Sequence, residues 1–259
     1  SLLFADRIFS KSVGWTLERR SKITNAVIAH AARIPPTIVY ARAQNNNHLL
    51  VEALGLYAAG VSLQGWPAAP NWKTQGWNLI QHALRTQISS RGEYVQQSTN
   101  YHRLMLQAAL WAQTIARSQD ETLPQDCLQL LELATRWLLA QMDPISGHLP
   151  NLGHNDGAYI LPFSTTEYGD FRPVAQAAAR AFLGKDILPA GNWNEFCLWL
   201  GLPSKMDTPV DEHLSTSSAV HRLGNVESWG TLRAAYFTQR PAHADQLHVD
   251  LWWRGKNVA

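Results

Sequence analysis

An α+β multidomain protein, helical first and antiparallel sheet last, is the fold class the sequence predicts, and three observations predict it. Apolar residues recur at helical spacing from the N-terminus to about residue 205. The period stops at Met206-Asp207-Thr208-Pro209, which reads as a linker, and alternation by twos follows it. A run of helices followed by a run of strands argues for two segregated units, 1–207 and 208–259, rather than for βαβ repeats.

The elements follow in order. Ile23, Val27, Ala31 and Ile34 mark one helical face, which Pro35-Pro36 is expected to stop. Leu49, Ala53 and Leu56 mark a second helix that Gly60 is expected to end, and Trp72 to Ile88 is a third. Leu104, Ala108, Trp111 and Ile115 line a fourth. Pro124, well placed at a helix start, opens a fifth on Leu130, Leu133 and Trp137. Arg172 to Leu183 and Trp193 to Leu200 give two shorter helices. Between them, His148 to Asp170 is polar and rich in turn residues, and a loop of that length is usually functional or mobile. Successive helix–loop–helix pairs of this size suit a helical toroid. Past the linker, Thr231 to Phe237 and Leu247 to Trp253 read as strands. In the second, Leu247, Val249, Leu251 and Trp253 face one way, while His248, Asp250 and Trp252 face the other.

Composition narrows the function. The chain has 259 residues, 46% of them hydrophobic, which is enough for a sizeable core. Twenty-two Lys and Arg against twenty Asp and Glu leave a net charge of +2 with no basic stripe, which argues against nucleic acid as a partner. No apolar run approaches the ~20 residues of a membrane span. Eleven Trp lean toward carbohydrate, because indoles stack on sugar rings. Cys127 and Cys197, each among apolar helical residues, read as buried free thiols. The chain begins at Ser1 without Met, and Leu247 to Ala259 reads as a strand cut off in mid-sheet, so a piece of a longer protein is expected.

Three polar clusters carry the chemistry. Asn45-Asn46-Asn47-His48 precedes an apolar helix, where one Asn can cap but three are not needed. An amide and an imidazole at a helix start make a carboxylate site, since backbone N–H groups point the same way. Ser98-Thr99-Asn100-Tyr101-His102 opens another helix, with Ser98 or Thr99 as cap. Tyr101 there is either core, on the face of Leu104 and Ala108, or a base whose pKa of ~10 is lowered by cationic neighbours or a metal. His243-Ala244-Asp245-Gln246-Leu247-His248 offers metal ligands, although His243 and His248 would leave opposite faces of a continuous strand. Asp143, Asp156 and Asp170 flank the long loop and keep open a paired-carboxylate glycosidase. Gly-rich phosphate loops, CxxC pairs, HExxH and GxSxG are missing from the sequence.

Four segments resemble the heparinase II/III-like family, which includes heparin, heparan and alginate lyases. They are Asn46-Asn47-His48 through Tyr57, Tyr94 through Leu104, Pro150-Asn151-Leu152-Gly153-His154-Asn155-Asp156-Gly157, and His243 through Gly255. The resemblance implies an N-terminal α/α toroid, incomplete here, followed by the start of an antiparallel β-sandwich, with the active site between them. It implies β-elimination on an acidic, uronic-acid polysaccharide by a periplasmic or extracellular lyase. Asn47 and His48 would neutralise the substrate carboxylate and Tyr101 would serve as base, acid or both. Asn46, Asn100, His102 and His154 would bind substrate. Many members carry His-x-His-x-Asp, where this chain has Pro241 and then His243. His243 therefore reads as a ligand of a structural zinc whose further Asp would lie beyond Ala259, and Pro241 stands where the catalytic His would be. A catalytically impaired, glycan-binding relative in envelope polysaccharide metabolism and an inverting glycoside hydrolase are the alternatives.

Overall fold

A computed structural model describes residues 2–205, 220–237 and 243–259. The linker at Met206-Asp207-Thr208-Pro209, the 207/208 boundary and Pro241 lie outside the described residues. The helical part comprises α1 (Leu2–Phe9), α2 (Leu17–Ala31), α3 (Ile34–Gln44), α4 (Asn47–Ser62), α5 (Ala69–Gln87), α6 (Thr99–Arg117), α7 (Gln125–Gln141), α8 (Arg172–Ala178) and α9 (Asn194–Trp199). A π turn, Ala179–Leu183, extends α8. Four strands follow, β1 (Val220–Gly224), β2 (Ser228–Arg233), β3 (Val249–Trp253) and β4 (Lys256–Asn257). They form an antiparallel sheet in the order β1-β2-β3-β4. No helix among the described residues is long and apolar enough to cross a membrane.

The strand expected over Thr231 to Phe237 runs instead over Ser228–Arg233, and two of the helix expectations also need correction. Pro35-Pro36 opens α3 instead of stopping the preceding helix, because the first turn of a helix leaves its N–H groups unbonded and proline loses nothing there. Gly60 lies inside α4, not at its end. A Cβ on Gly60 would stand 2.3 Å from Lys73 N, and one on Gly76 would stand 2.4 Å from Tyr57 N. The two glycines let α4 and α5 pack antiparallel, backbone against backbone.

Helix α6 is the centre of the domain. Nearly all of its length is buried, including Leu104, Met105, Leu106, Ala108, Ala109 and Leu110. A helix enclosed on all sides must also satisfy its polar side chains internally. Gln107 does so by accepting from Ile160 N at 3.2 Å and donating to Leu161 O at 3.3 Å, which fastens the long loop onto α6. Cys127 and Cys197 are buried free thiols, as expected.

The sheet docks by one face on the end of α7 and the turn after it. Asp143 is fully buried, and its carboxylate accepts from Ile145 N, Ser146 N, Ser146 Oγ and, at 2.9 Å, from Trp229 Nε1 on β2. Arg222 on β1 donates to the carbonyls of Ala140 and Met142 while its guanidinium lies 3.7 Å from the Trp229 ring centre. Trp229 in turn stacks on Trp252 of β3. The alternation read in β3 holds, with Asp250 and Trp252 buried and Val249, Leu251 and Trp253 exposed.

Candidate active site

The antiparallel run of α4 and α5, and the return through residues 88–98, bring the starts of α4 and α6 to one end of the helical domain. Gln87 Nε2, at the end of α5, donates to Asn46 O at 2.9 Å, and the Tyr94 hydroxyl donates to Gln87 Oε1 at 3.0 Å. Gln96 then accepts the backbone N–H of Asn47 at 3.0 Å, tying α4 to the residues just before α6.

The three asparagines divide the work. Asn45 takes the left-handed conformation, φ 44°, that ends α3. Asn46 caps α4, its Oδ1 accepting from His48 N at 3.0 Å. Asn47 is thereby left over from capping. Among the described residues, neither its amide nor the His48 imidazole has a hydrogen-bond partner, and both are at least partly exposed at a helix start. That combination of an idle amide, an imidazole and the positive end of a helix suits a carboxylate. Asn46 is spent on capping, which leaves little of its side chain for the substrate role expected of it.

Tyr101 emerges from the first turn of α6. Ser98 caps that helix, accepting from Tyr101 N, and the same hydroxyl donates to His154 O at 2.8 Å. Thr99 holds the loop from the same turn, its N–H bonding Leu152 O and its hydroxyl Pro150 O. Gly153 is required between them, since at φ +70° a Cβ would lie 2.5 Å from Gln97 O. The Gly153 N–H is held at 2.9 Å by Asp245 Oδ2 from the sheet unit. So fixed, the loop lays the His154 ring 4.4 Å from the Tyr101 ring and sets Asp156 Oδ2 2.7 Å from the Tyr101 hydroxyl. His154 Nε2 is 4.0 Å from the same carboxylate oxygen, and the His243 ring stands 6.0 Å beyond the His154 ring.

This environment reverses one expectation. The Tyr101 phenol is pushed up to about 12, by burial first and then by the hydrogen bond and charge of Asp156, with Tyr168 adding to the effect. Asp156 is held below the ordinary carboxylate value, chiefly by the bond from Tyr101. The resting site therefore contains a neutral phenol donating to a carboxylate, not a phenol activated by a cation.

Asn100 and His102, expected at the substrate, are turned inward. His102 is 1% exposed, bonds Ala134 O through Nε2, stacks on Trp137, and is pulled down to about 4 by burial. Asn100 accepts from Arg103 Nη2 at 2.7 Å and from the Tyr168 hydroxyl at 2.7 Å, behind the site. Arg103 lies buried among the rings of Tyr159, Tyr168 and Phe171. A lysine cannot present two parallel donors to Asn100 and the Tyr168 carbonyl. Arg103→Lys is expected to cost about 2 kcal/mol, read as a lower urea midpoint at unchanged slope.

Among the described residues no three His, Cys, Asp or Glu side chains gather as a metal ion needs. His243 faces His154, Asp245 is taken by Gly153 and Arg233, and His248 pairs with Asp250. These side chains are engaged with other protein groups, and no reaction step is assigned to a zinc. The glycosidase trio also separates. Asp143 is consumed by the sheet contact and Asp170 by Arg172, leaving Asp156 alone in the site.

Residues 6–160 match the family described as heparinase II/III N-terminus, well over half of the chain, and the chain belongs to that family. Among solved structures it is similar to a heparinase III, with a TM-score of 0.65 and 18% identity, over 99% of this chain and 40% of the other. It is also similar to the heparan sulfate lyase HepC from Pedobacter heparinus, with a TM-score of 0.58 and 20% identity, over 99% and 38%. The chain thus spans about two fifths of the length of these structures, and at such identities the likeness is one of fold. The helical domain and the start of the sheet correspond to those of heparinase III. No curated protein sequence matches significantly.

Proposed function

We propose that the protein is a polysaccharide lyase that cleaves a uronic-acid-containing polysaccharide by β-elimination. The observation that carries this reading is the meeting of two helix starts at one end of the domain, one with Asn47 and His48 free and the other with Tyr101 beside a carboxylate. The Asn47 and His48 side chains, at the positive end of α4, receive the C6 carboxylate and spread the negative charge that develops when the C5 proton leaves. Tyr101 serves the proton transfers. The C5–H bond breaks, its electron pair forms the C4=C5 bond, and the C4–O bond breaks with its pair on oxygen, which is then protonated. The burial of Asp143 and Asp170 in structural contacts weighs against pairing either with Asp156 as a hydrolase would.

The test is incubation of the whole protein with a panel of uronate polymers, heparan sulfate first because a similar structure is that of a heparan sulfate lyase. Ultraviolet absorbance from the unsaturated uronate is the expected product signal. Reducing sugar without that absorbance would identify a hydrolase, and binding without either would identify a glycan-binding protein. Asn47→Ala is expected to lower kcat by about 10²-fold or more, the loss seen when one charge-stabilising donor is removed from a transition state. Steady-state rates on the best polymer check it, and a change confined to KM would place Asn47 in ground-state binding alone.

A further inference from the structure

The lyase reading leaves a chemical difficulty at its centre. A phenol held near 12 is almost wholly protonated at neutral pH, so it cannot take the C5 proton while keeping its own. Nor can it become a phenolate at low cost 2.7 Å from an ionised Asp156. The carboxylate that adds to burial in making the phenol a poor free base is, however, placed to receive its proton.

Resting on the lyase reading, we propose that Asp156 is the proton partner of Tyr101, taking the phenol's proton as the phenol oxygen takes the one from C5, and returning it as the phenol protonates the leaving oxygen. The balance closes within the site. One proton leaves C5 and one arrives on O4, and the Tyr101–Asp156 pair ends with the proton it began with. At no point do a phenolate and a carboxylate stand side by side. Carboxylates are competent terminal bases for protons next to a carbonyl group once the developing enolate is stabilised. Asp156 acts through Tyr101, so it is a positioning residue in this scheme and Tyr101 is the catalytic one.

The local architecture supports the assignment. The carboxylate's second oxygen, Oδ1, accepts from Ala158 N at 3.0 Å, which turns Oδ2 toward the phenol. The loop that carries it is held by Ser98 and Thr99 from α6 and by Asp245 from the sheet unit. The titratable groups facing the phenol are Asp156 and His154 from the loop, Tyr168 from its far end and Tyr94 from the segment before α6, with His243 facing His154. None of them is an Arg or Lys that would favour a free phenolate.

The experiment is a pH–rate series with the whole protein on a polymer the wild type cleaves, using Asp156→Asn and Asp156→Glu with Tyr101→Phe as blank. The Asp156 side chain is 54% exposed and asparagine retains the oxygen that Ala158 N needs, so the variant keeps the loop. Wild type is expected to show kcat/KM nearly level through neutral pH. Asp156→Asn should be about 10²- to 10⁴-fold slower at neutral pH. Its rate should climb about tenfold per pH unit, because only the rare phenolate can then act as base. Asp156→Glu should restore part of the rate and the level profile. A second readout needs no turnover: the phenolate absorbance that Tyr101→Phe abolishes should appear at lower pH in Asp156→Asn than in wild type. An Asp156→Asn enzyme within a few-fold of wild type and with the same profile would overturn the inference and leave the lyase reading standing. No unsaturated product from wild type on any polymer would overturn both.

Discussion

Tyr101→Phe removes one oxygen and is expected to lower kcat by about 10³-fold or more while the fold survives. The phenyl ring keeps its packing against His154 and its place in the first turn of α6, so substrate binding and KM should change little. What disappears is the atom that meets Asp156, and with it both proton transfers. The stability cost should stay below about 1 kcal/mol, since the lost bond ends on a carboxylate that is 54% exposed and well hydrated without it. Single-turnover formation of unsaturated product, beside an unchanged thermal midpoint, is the measurement. A variant that turns over near the wild-type rate would remove Tyr101 from the chemistry.

The second large effect concerns stability. Asp143→Ala is expected to destabilise the protein by about 3 kcal/mol, because hydrogen bonds to a buried charged acceptor are among the stronger ones and all four donors lose it together. Burial by itself would raise the Asp143 pKa, but the bonds from Ser146, Trp229 and Ile145 outweigh it and hold the group below the ordinary value. The sign follows. A carboxyl depressed on folding stabilises above its unfolded value of ~3.9 and loses that contribution as pH falls through the folded value. Wild-type stability should therefore decline in acid below ~pH 4, and the alanine variant, already weaker at neutral pH, should lose less over the same range. Urea denaturation across pH, followed by Trp fluorescence, tests both statements. Equal acid slopes would show that Asp143 is not the group responsible.

Much of this was legible in the residues. The helix starts at α4 and α6 stood out because capping side chains precede apolar runs, a purely local signal. The switch from helices to strands was equally plain, since a change of period needs no tertiary information. Strand β1 carries no such signal, because it is short and its Arg222 serves carbonyls at the end of α7, distant in sequence. Asn100 and His102 illustrate a different difficulty. Consecutive residues on a helix leave it in directions about 100° apart, so once Tyr101 faces the site its neighbours face elsewhere. The phenol's raised pKa has no local signal either, because it depends on burial and on Asp156, which lies beyond α6 and α7 on a loop with no period to predict its path.

Ser98 joins these themes. Its one hydroxyl accepts from Tyr101 N and donates to His154 O, so the order of the first turn of α6 and the order of the loop are a single equilibrium, not two. Asp245 extends that equilibrium to the other structural unit through Gly153. In linkage terms, whatever free energy a ligand on the loop adds to the attachment of the sheet unit, that attachment returns to the ligand's binding. Substrate binding should then be felt as increased protection of sheet amides far from any sugar.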